Sequence, residues 1–285
     1  MNVVKLTEDN VSEYSQFVPE DVAEYVGRTY YRGIIVISDE GEPAAGMLWL
    51  LKNMRKETDR ESHILWIRIS DESAADTLFD EYETMIRTEE VIRSSFSLLA
   101  KTAKPIKGIL KAKGFSVKLM EGDTIVAKLS EIGQIPFLQK LTPSDDVKPL
   151  RSVTQRGFNI AVRRMAEKGF YGICEDIEYL PRMYFENDVS CVCEQDGMIN
   201  GLFLCHATNA GRLVVELMAA VGQDYVMTLP HLIGRAYQSA MIIYSPDTEV
   251  IIDRHNYASL ALGEKFFPRT LGVPVYIGSR EENGV

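Results

Sequence analysis

The sequence has no apolar run that approaches the roughly 18–20 residues of a transmembrane helix. Its opening residues, MNVVKLTEDN, lack both the basic segment and the apolar segment of a secretory signal peptide. We therefore expect a cytoplasmic protein without a membrane partner.

Cysteine is scarce, with only 4 residues, and all of them lie in the second half of the chain. Cys191, Cys193 and Cys205 fall within one predicted hairpin rather than in a loop framework, which favours free buried thiols. A zinc site is the alternative, but structural zinc usually takes C-x2–4-C pairs on loops, whereas C-x-C inside an apolar strand is typical of small core residues. We predict no metal site.

Positive charge is in the minority, because 31 Lys and Arg face 41 Asp and Glu and give a formal net charge of −10. Such a surface repels a nucleic-acid backbone, so we expect no nucleic-acid partner. Five lysines could form a local basic patch, although a solvated helix face is the alternative; they are Lys101, Lys104, Lys107, Lys111 and Lys113.

Familiar catalytic signatures are missing too. The chain has no phosphate-binding lysine loop and no dinucleotide fingerprint. The run Asp253-Arg254-His255 supplies an acid and an imidazole but no nucleophile on a strand-to-helix elbow, which argues against a hydrolase triad.

A repeated pattern is present instead. Residues 33–51 and 188–207 each read as an apolar strand, an acidic-glycine turn and a second strand that opens on glycine. The 285 residues suffice for two cores of ordinary size. Three prolines interrupt the periodicity over 131–150, so we predict two domains, 1–132 and 133–285, with a connection between them.

Each half gives nearly the same order of predicted elements. The first half predicts a helix capped by Asp71, a strand over Val91–Leu98 and a closing hairpin over Phe115–Leu129 turned at Glu121–Asp123. The second predicts a strand over 212–221, a helix over about 224–244, a strand TEVIID, a helix over about 256–265 and a last strand VPVYIG.

This order resembles the GCN5-related N-acetyltransferases (GNAT). Asp196–Gly201 resembles the hairpin turn of that family, and Asn256–Leu262 resembles its N-x-A-S-x-x-L helix start. Lys111–Phe115 resembles the K-x-x-G-F with which the same helix ends. The resemblance implies an α+β protein of tandem GNAT-like domains, with two mixed, mostly antiparallel sheets flanked by helices.

The resemblance also implies acetyl-CoA as the acyl donor and a primary amine of a small molecule or peptide as the acceptor. Glu216 is the implied base, because many family members carry a glutamate on the central strand and apolar neighbours raise the proton affinity of a carboxylate. An edge-facing or salt-bridged strand glutamate is the alternative. Tyr257 is the candidate acid, with rim or core packing as its alternative, since Gly263 and Leu110 stand where the usual tyrosine would be. The implied coenzyme-binding residues are Met218, Ala219, Ala220, Val221, Gly222, Gln223, Asn256 and Ser259.

Both halves depart from the family at the glycine-rich turn that binds the coenzyme pyrophosphate. Asp71 and Glu72 in the first half, and Asp224 in the second, place carboxylates at a helix N-terminus where phosphate would bind. The second half is less compromised, because Gly222 still permits close backbone approach.

Three functions follow from these observations. The first is an acyl-CoA-dependent N-acyltransferase whose second half is active and whose first half shapes the acceptor site. The second is a binding or regulatory module that has kept the scaffold and lost the coenzyme site. The third is an aminoacyl-tRNA-dependent transferase, against which the net charge of −10 stands. The acceptor and the oligomeric state are left open.

Overall fold

A computed structural model of the chain describes residues 1–56, 58–170, 174–222, 225–252 and 266–282. The structure is α+β. The strands are β1 Asn2–Lys5, β2 Tyr31–Ile37, β3 Pro43–Lys52, β4 Glu61–Ile69, β5 Arg93–Leu99, β6 Lys118–Lys128, β7 Val147–Pro149, β8 Cys191–Gln195, β9 Met198–Ala207, β10 Leu213–Ala220, β11 Glu249–Ile252 and β12 Gly272–Glu281. The α-helices are α1 Glu20–Ala23, α2 Ala75–Thr88, α3 Ala100–Ala103, α4 Lys107–Ala112, α5 Leu129–Ile132, α6 Pro136–Lys140, α7 Gln155–Met165, α8 Cys174–Ile177 and α9 Tyr225–Ile243.

The chain forms two compact units. Unit 1 combines Met1–Met120 with the C-terminal segment Pro274–Val285, and unit 2 is Glu121–Val273. The proposed division into domains at 132/133 stays a prediction. Packing assigns most of β6 to unit 2, although this strand directly follows the helices of the first half, and it assigns most of β12 to unit 1.

The strands of unit 1 form a mixed stretch of sheet in the order β1-β2-β3-β4-β5-β12. Its neighbouring strands are antiparallel except for β4 and β5, which are parallel and are joined by the crossover helix α2. One face of this sheet packs against α2 and α4, and the other packs against the segment around Phe17 and Val18. Each face therefore buries its own apolar cluster.

The strands of unit 2 form a stretch of sheet with the same pattern of parallel and antiparallel pairs, in the order β7-β8-β9-β10-β11-β6. Again its neighbours are antiparallel except for one parallel pair, β10 and β11, joined by α9. α9 covers one face, and α7 covers the other around Phe158 and Val162. Within each unit the pairing is mixed and mostly antiparallel, as expected from the sequence, while the division into two separate sheets stays a prediction.

The hairpin turns follow the sequence prediction. In unit 2 the turn residues Asp196 and Gly197 both have positive φ, 52° and 72°, as a tight two-residue hairpin turn requires. Gly114, which follows α4, has φ 83° and ends the helix in the left-handed conformation expected of K-x-x-G-F.

The prediction of a closing hairpin over Phe115–Leu129 is wrong. Residues Lys118–Lys128 form the single strand β6, and Gly122 lies within it with φ 74° rather than at a chain reversal. The second half of this strand, Ile125–Lys128, pairs antiparallel with Glu249–Ile252 of β11. The local turn signal therefore competes with a pairing across more than a hundred residues.

Arg280 of β12 holds the C-terminal segment in unit 1. Its guanidinium donates to Glu83 of α2 at 2.8 Å, to the carbonyl of Lys113 at 2.7 Å and to Glu282 at 2.7 Å. It also lies 4.7 Å from the ring centre of Phe115. Burial opposes the charge of this side chain, but Glu282 and Glu83 outweigh burial and raise the pKa of Arg280.

Among the described residues, no helix is long and apolar enough to cross a membrane.

Candidate functional site

The site is built around a β-bulge in the central strand of unit 2. Opposite β9, Val215 pairs with Cys205 and Leu217 pairs with Leu204, so Glu216 is the extra residue of the bulge. A bulge re-aims the side chain of its extra residue. Glu216 keeps 16% of its side-chain surface exposed in a region that is otherwise apolar.

Glu216 faces a buried histidine. Its Oε1 lies 2.9 Å from Nδ1 of His206, whose side chain is only 2% exposed. The ring of Tyr184 lies on His206, with centroids 4.9 Å apart. The carboxylate is the more exposed of the two side chains in this contact, and its role as a base stays a prediction.

The described part of the parallel neighbour of the central strand reaches the same point. β10 and β11 pair from Leu213 with Val250 to Val215 with Ile252, and Ile252 is the last described residue of that segment. Beyond Val215, the backbone of Met218–Ala220 is hydrogen-bonded to β9 on its other side. The bulge at Glu216 therefore lies where the described parallel pairing ends.

Unit 1 has a bulge at the same step of its strand pairing, but a different residue occupies it. Its bulge lies between Leu48 with Trp66 and Trp49 with Ile64, which makes Leu65 the extra residue. Its parallel pairing also ends there, at Ile64 with Phe96, while β4 continues to Ile69. By register, Leu65 corresponds to Glu216.

The residue on the neighbouring strand, one pairing step before the bulge, also differs between the two units. His206 pairs with Val214 in unit 2, and Leu50 pairs with His63 at the corresponding step of unit 1. Both Leu50 and Leu65 pack against the apolar cluster of unit 1. A carboxylate and imidazole in unit 2 thus stand where unit 1 has two leucines, and only unit 2 has a proton acceptor at the bulge.

The helix N-terminus of unit 1 binds its own carboxylate, as predicted from the sequence. The Asp71 carboxylate accepts from the backbone N–H of Ser73 at 2.9 Å and from the Ser73 hydroxyl at 2.7 Å. These hydrogen bonds lower the pKa of Asp71. The anion site at the start of the α2 segment is therefore occupied by the protein itself.

The coenzyme residues predicted in unit 2 are only partly described. Met218–Val221 run from β10 into the loop, the Val221 N–H bonds the carbonyl of Asn200 at 2.8 Å, and Gly222 has φ 110°. An exposed glycine with positive φ leaves the backbone open before α9. The other predicted residues, Gln223, Asp224, Asn256, Tyr257 and Ser259, lie outside the described residues, as does Asp253-Arg254-His255.

The cysteines are free and buried at Cys191, Cys193 and Cys205. Burial raises the pKa of the Cys205 thiol to about 12, with Glu186 and Glu216 acting in the same direction. Among the described residues, no group of three or more His, Cys, Asp or Glu is placed to hold a metal ion.

His206 is the site residue that sequence reasoning missed. The signal that would have found it is the bulge, which moves Glu216 next to the strand position of His206.

Two of the five lysines that could form a basic patch make contacts within the protein. Lys113 bonds Asp76 at 2.7 Å, and the Lys107 ammonium lies 4.9 Å from the ring centre of Tyr276. Lysines engaged in this way favour the solvated helix face over a patch for nucleic acid.

Solved structures with the same fold share little sequence with this chain. A tandem GNAT protein from the clavulanic acid biosynthesis pathway matches with a TM-score of 0.62 at 10% identity, covering 100% of this chain and 99% of that one. A glucosamine N-acetyltransferase region of a fungal multi-domain β-N-acetylglucosaminidase matches with a TM-score of 0.58 at 9% identity, covering 98% of this chain and 38% of that one. A GCN5-related N-acetyltransferase from Kribbella flavida matches with a TM-score of 0.51 at 10% identity, covering 84% and 87%.

No protein-family model matches the chain, and no curated protein is significantly similar to it. The structural matches show that the chain has the fold of the GCN5-related N-acetyltransferases. This confirms the resemblance inferred from the sequence.

Proposed function

We propose that the protein is an acyl-CoA-dependent N-acyltransferase that acts on a primary amine of a small molecule or peptide, with its active site in unit 2. The observation that carries the proposal is the bulge carboxylate. Glu216 stands at the end of the described parallel pairing with His206 2.9 Å behind it, while unit 1 has leucines at both positions. The names of the structural neighbours, several of which are acetyltransferases, support the same reaction class.

The reaction requires a base and a place for the thioester. The amine nitrogen attacks the thioester carbonyl carbon, so a C–N bond forms and the C–S bond breaks. The proton of the amine passes to Glu216, directly or through one water, and the departing thiolate takes a proton from solvent. His206 lies against the Oε1 oxygen of this carboxylate.

Acetyl-CoA is the donor in this proposal, bound along the backbone beyond the bulge. Met218–Val221 would hold the pantetheine arm, and Gly222 with Gln223 would approach the pyrophosphate. Asn256 and Ser259 would line the coenzyme channel, and Tyr257 would protonate the thiolate in place of solvent. Unit 1 would not bind the coenzyme, since Asp71 fills its helix N-terminus.

We also propose that the chain is a tandem protein whose two domains, 1–132 and 133–285, derive from one GNAT-like ancestor. The matching bulge and the matching register of the parallel pair before it support this origin. The compact units then differ from the ancestral domains by the assignment of β6 and β12.

Thermal melting with acetyl-CoA tests the proposal. A ligand at a hundred times its dissociation constant stabilises the folded state by about 2.7 kcal/mol, which raises the melting temperature by several degrees for a protein of this size. Free CoA is the control for the nucleotide part of the ligand. No shift at millimolar acetyl-CoA would rule out the acyltransferase.

A non-catalytic binding module is the second candidate, and the Asp71 cap favours it for unit 1. Such a module would show neither acetyl-CoA stabilisation nor thiol release. Stabilisation without thiol release across a broad panel of amines would instead assign the protein a coenzyme-binding role.

A further inference from the structure

A short segment of unit 2 covers the buried imidazole of the site. It contains one turn of 3-10 helix, Arg182–Tyr184, and Tyr184 at the end of this turn lies on His206. The two ring centres are 4.9 Å apart and the ring planes are inclined by 34°. His206 therefore has two neighbours in different directions: the Glu216 carboxylate 2.9 Å from Nδ1, at the edge of the imidazole, and the Tyr184 ring on its face.

Tyr184 is held in this place by hydrogen bonds of its own segment. The backbone N–H of Arg182 donates to the side-chain oxygen of Gln155 in α7 at 2.7 Å. The Arg182 guanidinium donates to the carbonyl of Leu150 at 3.1 Å and to the side-chain oxygen of Asn187 at 2.7 Å. These three hydrogen bonds fix the turn that carries Tyr184 without any contribution from His206.

The residues that follow Tyr184 join the segment to the strand of His206. The Glu186 N–H donates to the carbonyl of Cys205 at 2.9 Å, and Cys205 directly precedes His206 in β9. The Ser190 N–H in turn donates to the carbonyl of Glu186 at 2.7 Å. Backbone hydrogen bonds thus set the position of the segment against β9, and the contact between the two rings follows from that position.

The Tyr184 ring supplies a restraint that the contact with Glu216 lacks. The second side-chain torsion of histidine is broad, so a contact at one ring nitrogen does not fix the plane of the imidazole. An aromatic ring packed against the imidazole does fix this plane, because rotation about the torsion would drive one ring into the other. With the plane fixed, Nδ1 of His206 stays directed at Glu216 and the carboxylate keeps one orientation.

We propose that Tyr184 is a positioning residue of the site: its ring orients His206, and His206 orients the base Glu216. The ring rather than the hydroxyl is the acting part, because the contact with His206 is made between the rings. This inference rests on the proposed function, in which Glu216 receives the proton of the amine. Tyr184 contacts neither substrate in this proposal, so its effect on turnover should pass through His206 alone.

Steady-state kinetics of the full-length protein with acetyl-CoA and an accepted amine test the role of the ring. Tyr184→Leu removes the ring and should lower kcat about tenfold with KM for both substrates nearly unchanged, since it misplaces the base and removes no substrate contact. Tyr184→Phe keeps the ring and should keep kcat within about twofold of the wild type. Tyr184→Met repeats the test with a flexible side chain that adapts to irregular space, and should show the same loss as Tyr184→Leu.

A double variant tests the route through His206. If Tyr184 acts only by orienting His206, the variant with both Tyr184→Leu and His206→Leu should be no slower than His206→Leu alone, because residues that act as a unit are not additive. Independent roles would instead multiply the two losses in kcat.

Phe158→Leu is the control for a general loss of packing. Phe158 is 0% exposed and belongs to the same apolar cluster, but its ring packs on Phe185, with centroids 5.7 Å apart. Its substitution should lower the melting temperature and leave kcat of the folded protein unchanged. A purely structural role for Tyr184 would give the same result for Tyr184→Leu.

NMR of the imidazole groups reports the ring contact without any turnover. The chain has 4 histidines, so the His206 signals can be assigned as those that disappear in His206→Leu. The ring current of Tyr184 should displace these signals in the wild type and in Tyr184→Phe, and the displacement should be lost in Tyr184→Leu. Unchanged His206 signals in Tyr184→Leu would overturn the inference.

The kinetic outcomes separate this inference from the proposed function. An active wild type with equal kcat in Tyr184→Leu, or with additive losses in the double variant, overturns the positioning role and leaves the proposed function intact. A loss in Tyr184→Phe as large as that in Tyr184→Leu overturns the role of the ring. A wild type that releases no thiol with any amine overturns the proposed function, and this inference with it.

Discussion

His206 Nδ1 lies 2.9 Å from Glu216 Oε1, and the two side chains are 2% and 16% exposed. The contact joins the bulge residue of β10 to the neighbouring strand β9. Burial of the imidazole makes His206 a support for Glu216 rather than a group that meets the acceptor amine. In unit 1, Leu50 and Leu65 occupy the two positions and pack as ordinary core residues.

Substitution of His206 should affect turnover rather than substrate binding. His206→Leu removes the contact with Glu216 and leaves the carboxylate free to rotate, so kcat should fall by about 10–100-fold with KM for both substrates nearly unchanged. His206→Asn keeps an amide nitrogen near the position of Nδ1 and should recover much of that loss. Steady-state kinetics with acetyl-CoA and an accepted amine give both values.

A structural role for His206 predicts a different result. Both variants would then lower the melting temperature together and change kcat in proportion to the fraction folded. Equal activity of His206→Leu and the wild type at equal stability would remove His206 from the site.

Arg280 should contribute strongly to the stability of unit 1. The side chain of Arg280 is 10% exposed and is the shared cation of Glu83 and Glu282. Because Arg280→Met leaves both carboxylates without this cation, we expect a loss of about 2–4 kcal/mol in the free energy of unfolding. Urea denaturation measures it. Arg93→Met is the control, because the Arg93–Glu281 pair is 3.7 Å long and exposed and should contribute less than about 1 kcal/mol.

Asp71 gives a prediction about pH. Its hydrogen bonds to Ser73 lower its pKa below the ordinary value of 3.8. A lowered pKa in the folded state means that the stabilisation is present above pH 3.8 and is lost as the pH falls through the folded pKa. Asp71→Asn is neutral at every pH, so its melting temperature should lie below that of the wild type at pH 7. The two melting temperatures should become equal at the lowest pH at which the protein is still folded. A difference that grows toward acid pH would contradict this assignment.

The local sequence predicted much of the fold because short-range signals control it. The Asp196-Gly197 turn, the Asp71 cap and the Gly114 stop all appear as predicted, and each depends on the conformation or hydrogen bonding of a few neighbouring residues. The helix α9 and the strand β10 lie within about a residue of their predicted bounds. These elements combine periodic apolar residues with clear end signals.

Long-range pairing accounts for what the sequence did not predict. The turn signal at Glu121–Asp123 is ordinary, but β6 pairs with a strand that begins at Glu249, and no local pattern encodes that partner. In the same way, β12 pairs with β5 over Arg93–Leu99, from the other end of the chain. Strand register also determines which residues meet at the site. His206 contacts Glu216 because a bulge shifts β10 by one residue against β9.

The most direct test of the account compares the wild type with Glu216→Gln in one experiment. Binding of acetyl-CoA is measured by calorimetry, and release of the CoA thiol is followed with a panel of primary amines. We predict that both proteins bind acetyl-CoA with similar affinity and that the variant releases thiol at least 100-fold more slowly near neutral pH, since it has lost the proton acceptor. Equal rates of thiol release, or a wild type that does not bind acetyl-CoA, would contradict the claim that Glu216 is the base of an acyltransferase site in unit 2.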